Sequence, residues 1–312
     1  MQEHEIRTAS EHLTTATKLM AWLERHHTDA ASWMALIDPS RYASAEQCAE
    51  ALGFSHEAFE QLPNLYYDLS PELKALGPRL FMARLDDKRW HPLCTEAAEK
   101  QVCSFLLVPE DHTNPSNHLR RLIMLRQPDG SQLLFRFQDT VVMSALMPLL
   151  TPAQIDCALG PVSNWMAIDV CSRPVQLART RHERRRIPRL TLTTDQIDAL
   201  DDALTPGTII AQANETDSTL LAGLSRCEQW RKVRERQHRA RRHGLCSRED
   251  IALYCVLSLQ LPEGFDQQGP VARALERSGK SQISFADAID DTPITEWREW
   301  DEVIDARDEG VT

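Results

Sequence analysis

The segment LIMLRQPDGSQLLFRF, residues 122–137, carries the clearest structural signal in the sequence. Two apolar runs flank the tripeptide Pro-Asp-Gly at 128–130, which is typical of a tight turn. Side chains alternate between the two faces of a strand, so if Phe135 and Phe137 face the core, Arg136 faces the opposite side. The segment therefore predicts a β-hairpin.

Short apolar runs and helix starts alternate around this hairpin. The run WMALI at 33–37 is typical of a strand buried on both faces, which requires helices on both sides of a sheet. Capping patterns predict helices that begin after Ser44, Ser70 and Thr151, and Asp139 is expected to cap a helix and to pair with Arg136. We predict an α+β or α/β N-terminal lobe, in which helices flank a small mixed sheet.

Beyond residue 193 the pattern is helical throughout. Capping signals at Thr193 and Ser247 precede apolar residues at helical spacing, and a basic helix is expected over 226–242. This predicts an all-α C-terminal lobe. The predicted organisation is an N-terminal helix in residues 1–31, an α/β domain in 32–171, a basic linker in 172–192 and a helical lobe with an acidic amphipathic tail in 193–312.

The composition limits the classes of partner. The chain has 312 residues and a formal charge of -11, which opposes binding of nucleic acid by the surface as a whole. Its apolar runs are shorter than the roughly 20 residues needed to cross a bilayer, and its acidic, polar start is unlike a secretory signal. We therefore expect a cytoplasmic protein with no membrane partner and no nucleic-acid partner.

The motifs of the common enzyme classes are absent from the sequence. It contains no G-x-S-x-G nucleophile turn, no glycine-rich phosphate loop and no H-E-x-x-H zinc motif. We expect no cofactor, no metal and no catalysis. The alternatives are an enzyme whose active site follows no known motif and, less favoured, a nucleic-acid-binding module that uses the arginine runs near residues 179–189 and 226–242.

Two kinds of residue are candidates for binding a partner. Exposed arginines steer acidic partners, and an apolar stripe in an acidic tail either docks on its own lobe or binds cargo. The candidate partner-binding residues are Arg184, Arg185, Arg186, Arg231, Arg234, Trp297 and Trp300.

The hairpin and its surroundings resemble the core signature of the type VI secretion effector chaperones, the Tap or TEC adaptors. The matching pieces occur in order: HLRRLIMLR at 118–126, PDG at 128–130, LFRFQD at 134–139, LLTP at 149–152 and GP at 160–161. Upstream, WMALID at 33–38, SPEL at 70–73 and GP at 77–78 extend the resemblance to about residues 32–169. The signature residues, expected to be structural, are Arg121, Arg126, Asp129, Gly130, Phe135, Arg136, Phe137 and Asp139.

The sequence departs from the family pattern on both sides of Asp139. The family commonly has an aromatic residue before this aspartate and a proline after it, whereas here Gln138 and Thr140 occupy these positions. The resemblance implies an adaptor without catalysis that binds a cognate toxic effector and helps to load it onto the VgrG spike. Because a shared scaffold serves different cargoes through differing surfaces, we expect cargo choice to lie in the helical lobe.

Overall fold

The computed structural model describes residues 16–27, 31–110, 114–127, 129–178, 189–281, 283–298 and 300. The chain divides into two compact units, Met1–Leu204 and Thr205–Thr312. The first unit is mixed α/β and the second is helical, as the sequence predicts. None of the helices in the described ranges combines the length and the apolar character needed to cross a membrane.

An antiparallel five-stranded sheet forms the centre of the first unit. Its strands lie in the order β2-β1-β3-β6-β7, and each neighbouring pair is antiparallel. The predicted mixed sheet is thus an antiparallel one, although helices cover both of its faces. The strands are β1 (Ala31–Ile37), β2 (Arg79–Met82), β3 (Cys103–Pro109), β6 (Asn164–Ile168) and β7 (Pro174–Ala178).

Alternation along β1 explains why the sheet is covered on both sides. Met34 and Leu36 point into one cluster of buried side chains, the first core, with Trp165 among its members. Trp33 and Ala35 point into another cluster, the second core, on the opposite face. Since successive side chains of a strand point to opposite faces, a continuous apolar run buries both faces only when each is covered.

Helices with local start signals provide this cover. Ser44, Ser55 and Ser70 each accept a hydrogen bond from a backbone N–H in the first turn of the helix that follows. The Thr151–Gln154 pair forms the predicted capping box. The helices of this unit are α1 (Ala16–Arg25), α2 (Ala45–Ala51), α3 (His56–Glu60), α4 (Pro71–Ala75), α5 (Trp90–Lys100), α6 (Ser116–Leu122), α7 (Thr140–Leu146) and α8 (Pro152–Leu159).

The predicted hairpin is present as a separate two-stranded ribbon. Strands β4 (Met124–Arg126) and β5 (Gln132–Leu134) pair in antiparallel register. In the turn, Gly130 has a φ of 87°, a conformation that a residue with a Cβ rarely adopts. The Asp129 carboxylate accepts hydrogen bonds from the backbone N–H and hydroxyl of Ser131, at 2.9 and 2.6 Å. Asp129 and Gly130 of the predicted turn therefore have the conformation and hydrogen bonds of a tight turn between the paired strands, while Pro128 lies outside the described residues.

Strands β6 and β7 were not predicted from the sequence. Strand β7 occupies 174–178, inside the segment predicted as a basic linker, because Val175 and Leu177 are buried in the first core. The α/β layer therefore extends beyond the predicted boundary at residue 171. Residues 179–188, which contain most of that linker, lie outside the described residues.

The second unit is built around one helical core. Helix α9 (Thr194–Thr216) begins in the first unit and ends in the second, so the division at Leu204 falls within a helix. The helices that follow are α10 (Arg226–Arg242), α11 (Arg248–Gln260), α12 (Gly269–Ser281) and α13 (Phe285–Asp290). Leu220 and Leu224 precede the cap of α10, Ser225, and pack against the core of this unit.

A buried hydrogen bond in the first core provides a test of this packing. The indole N–H of Trp165 donates to the hydroxyl of Ser104 at 3.0 Å, and both residues are fully buried. Ser104→Ala leaves the indole N–H unpaired, which we expect to lower the free energy of unfolding by about 1–3 kcal/mol in urea titrations. Ser218→Ala, at an exposed serine, is the control. An equal effect of the two substitutions would contradict this packing.

Candidate binding surfaces

An ion cluster joins the end of β1 to the end of the hairpin. Asp38, which is fully buried, accepts hydrogen bonds from the backbone N–H and the hydroxyl of Ser40 at 3.2 and 2.7 Å. Arg136 donates to the same carboxylate at 3.0 Å and to the Ser40 hydroxyl at 2.6 Å. A buried carboxylate is tolerated only when its oxygens are paired in this way. Arg136 thus compensates a charge that the sheet buries.

Asp139 adds a second carboxylate to this cluster. It accepts hydrogen bonds from the backbone N–H groups of Val141 and Val142 and so caps α7, as predicted. Arg41 approaches it at 2.5 Å, whereas Arg136 is 3.9 Å away. The principal partner of Arg136 is therefore Asp38, which the sequence analysis did not identify. Arg136 and Asp38 are 98 positions apart, and no local sequence pattern indicates that two such distant residues form a pair.

The departures from the family pattern are accommodated by hydrogen bonds. Gln138 is buried and donates to the hydroxyl of Tyr66 at 3.1 Å. Thr140 is the first residue of α7, a position that also suits proline because the backbone N–H there has no partner within the helix. Its hydroxyl donates to the carbonyl oxygen of Ile168 at 2.8 Å. Both side chains are therefore buried with hydrogen-bond partners.

The signature residues separate into a buried set and an exposed set. Phe135 and Phe137 are buried in the first core, and Phe137 packs edge-on against Trp165 with ring centroids 6.0 Å apart. The exposed members are Arg121, Arg126, Asp129 and Gly130, together with the partly exposed Arg136. The exposed set lies on α6 and the hairpin, so this part of the unit offers polar groups to a partner.

A buried aspartate organises the helical unit. Arg239 donates two hydrogen bonds to Asp266, at 2.6 and 2.5 Å, while His243 and the hydroxyl of Tyr254 lie at 2.8 and 2.5 Å from its Oδ2. Burial alone raises the pKa of Asp266, but the hydrogen bonds from Tyr254, Arg239 and His243 outweigh it and hold the pKa below its usual value. Asp266 is a second buried carboxylate whose partners could not be predicted from the sequence.

The arginines of α10 have different roles. Arg239 is engaged by Asp266, and Arg236 is half-buried and donates to the carbonyl oxygen of Ser258 at 3.3 Å. Arg231 is exposed and Arg234 half-buried, and neither takes part in an ion pair with any residue that the structure describes. The predicted candidates Arg231 and Arg234 therefore present charge to solvent. Arg184, Arg185 and Arg186 lie outside the described residues.

The tail tryptophans belong to the core of the helical unit. Trp300 is 8% exposed, and Trp297 packs against the same core, with the two ring centroids 6.2 Å apart. The indole of Trp300 lies so close to Gly269 that a Cβ there would approach its Nε1 to 2.5 Å. The tail thus packs against its own unit, the first of the two alternatives considered from the sequence. Ile304 lies outside the described residues.

A metal site, or a cavity lined by titratable groups with shifted pKa values, would favour the alternative of an enzyme. No group of three or more His, Cys, Asp or Glu side chains within them is placed to hold a metal ion. A cavity of about 430 Å³ is lined by Phe54, Asp87, Lys88 and Arg89, among others. The Arg89 guanidinium lowers the pKa of Asp87 to about 2, and it also stacks over Phe54 and Phe81. Burial raises the pKa of Cys48 to about 12, which keeps this thiol neutral.

Substitution of Asp266 tests the role of the buried carboxylate. Asp266→Asn leaves Arg239 without its charged partner, and we expect it to lower the free energy of unfolding of the protein by about 3 kcal/mol near neutral pH. Because the native pKa is lowered, the contribution of the carboxylate is complete above about pH 4 and is lost as the pH falls through the native pKa. The difference between wild type and variant should therefore shrink in acid.

Urea titrations at several pH values measure this difference. Glu215→Gln, at an exposed position of α9, is the control for loss of a carboxylate. A difference between wild type and Asp266→Asn that stays constant down to the lowest pH at which the protein folds would contradict a stabilising, ionised Asp266.

Part of the first unit matches a known protein family. Residues 33–157 match the family model described as Domain of unknown function (DUF4123). Comparison with curated proteins and with solved structures gave no match. The matched range begins in β1, ends in α8 and includes α6, the hairpin and the Asp38–Arg136 pair. This part of the chain therefore matches DUF4123, the family of the type VI secretion effector adaptors and chaperones.

Proposed function

We propose that the protein is a cytoplasmic type VI secretion adaptor that binds a cognate toxic effector, helps to load it onto the VgrG spike and catalyses no reaction. The match of residues 33–157 to DUF4123 carries this proposal. Within that range the hairpin signature lies on consecutive elements, from α6 through β4 and β5 to the cap of α7.

The roles of the signature residues fit an adaptor. Phe135 and Phe137 fill the first core, and Arg136 and Asp139 complete the ion cluster at its edge. These side chains stabilise the scaffold and leave its outer surface free to differ between relatives. An adaptor needs this arrangement, because a constant fold must present surfaces that suit different cargoes.

The helical unit supplies a charged surface for cargo. Arg231, Arg234 and Arg242 of α10 have no ion-pair partner among the described residues, although the whole chain has a formal charge of -11. Exposed positive charge of this kind raises the association rate of an acidic partner. We propose that an acidic surface of the effector meets α10.

Co-expression of the chain with VgrG and with a candidate effector encoded by an adjacent gene tests the function. We expect a tagged form of the chain to recover both partners together, and to recover the effector when VgrG is omitted. The amount of each partner in the eluate, measured against cells that lack the tagged chain, is the readout. Recovery of neither partner would contradict the proposal.

A charge-reversal variant tests the role of α10 in the same experiment. Arg231→Glu with Arg234→Glu should lower effector recovery at least tenfold at low salt, while VgrG recovery stays unchanged. Arg84→Glu with Lys88→Glu is the matched control, because both side chains are exposed in the first unit and the change in charge is the same. Equal loss of effector in both variants would assign the effect to total charge and not to α10.

A further inference from the structure

The outer edge of β5 is an unpaired strand edge. Phe135 N–H donates to Ile123 at 2.7 Å and Gln127 N–H donates to Ser131 at 2.9 Å, so residues 131, 133 and 135 direct their backbone groups toward β4. The alternation directs the N–H and C=O groups of Gln132 and Leu134 away from β4. Neither residue makes a backbone hydrogen bond on that side to any part of the chain that the structure describes.

The two edges of the ribbon differ. The outer edge of β4 is covered, because Arg126 forms a parallel bridge with Thr191. Exposed strand edges of natural proteins usually carry lysine, proline or a bulge that prevents pairing with another chain. Residues 131–135, which include β5, contain no charge and no proline. Apart from the shortness of β5, three residues, the free edge therefore lacks the usual protection.

This edge carries one exposed apolar side chain, Leu133. Leu133 lies opposite Leu125, which is buried in the first core, yet Leu133 is 48% exposed. The side chain of Leu133 is therefore on the face of the hairpin that packs on the first core, but about half of it stays exposed. Of the seven large apolar side chains exposed among the described residues, six lie between positions 67 and 133: Tyr67, Leu73, Leu76, Met82, Met124 and Leu133. Two of these six, Met124 and Leu133, lie on the ribbon itself. Exposed apolar side chains beside an open strand edge are typical of an interaction site.

Three arginines and one aspartate are the charged residues of α6, β4, β5 and the turn between the strands. Arg120, Arg121 and Arg126 form no ion pair with the residues that the structure describes, and the buried Nε of Arg120 has no hydrogen-bond partner there. Arg120 lies over the ring of Tyr67, with its guanidinium carbon 4.1 Å from the centroid. This contact places α6 beside the exposed Tyr67. The Asp129 carboxylate is engaged by Ser131. An occupant of this surface needs carboxylates as well as apolar side chains.

We propose that the outer edge of β5 binds an extended segment of the effector by strand addition. Backbone groups of the segment pair with Gln132 and Leu134, an apolar side chain covers Leu133, and a flanking carboxylate meets the arginines of α6 and β4. This inference rests on the proposed function for the identity of the partner, whereas the chemistry of the segment follows from the edge itself.

A proline substitution at the edge tests strand addition. Gln132→Pro removes one outward N–H and places a ring where the added strand would lie, and proline is tolerated on an edge strand. We expect this variant to raise the Kd for the full-length effector at least tenfold, while Gln132→Thr, which keeps the N–H, stays within about twofold. Melting curves of both variants verify that the protein folds.

Two further measurements distinguish the possible failures. Leu133→Lys should weaken effector binding like the proline variant, whereas Ile294→Lys, at an exposed apolar residue of the helical unit, should not. Effector binding should also slow hydrogen exchange at the amides of Gln132 and Leu134. Unchanged binding by folded Gln132→Pro would overturn the inference and leave the adaptor function standing. No effector binding by the wild type would overturn both.

Discussion

The burial of the Asp38 carboxylate at the end of β1 constrains the rest of the first unit. An unpaired buried carboxylate is costly, so its oxygens require donors from elsewhere in the chain. Ser40 and Arg136 supply them, and Arg136 is placed by the two phenylalanines that enter the first core on either side of it. The pair thus ties the first strand to the end of the hairpin, where Asp139 begins α7.

The same constraint explains which surfaces are available to a partner. With Phe135 and Phe137 directed inward and Arg136 engaged at the cluster, the hairpin keeps its place on the scaffold while its outer strand stays accessible. In the helical unit Asp266 has a similar role, because it engages Arg239 and leaves other arginines of α10 exposed. In each unit a buried carboxylate determines which arginine is structural and which arginines face solvent.

Local signals in the sequence predicted the elements that local interactions specify. The Pro-Asp-Gly turn, the capping residues and the apolar run of β1 each act within a few residues, and the structure confirms these elements. Strand β7 was missed because its short apolar pattern, Val175 and Leu177, lies in a polar and basic stretch, and its pairing with β6 depends on the rest of the sheet. The sheet was predicted to be mixed because apolar runs are typical of strands in parallel sheets.

The candidate sites could be predicted only in part, for the same reason. Sequence identified the arginines of α10 and the tail tryptophans, but it could not show that Arg239 meets Asp266 or that Trp300 lies against Gly269. These contacts join positions that are distant in the chain. The open edge of β5 could not be predicted from the sequence either, because whether a strand edge is paired depends on the position of every other strand in the fold.

Secretion of the effector tests the central claim most directly. Deletion of the gene for this chain should abolish type VI secretion of the cognate effector into the medium while other spike components are still secreted, and the wild-type gene should restore it. The effector should remain detectable inside cells that express it from a separate promoter, which shows that transport is lost and not synthesis. Normal secretion of the effector in the deletion strain would contradict an adaptor function.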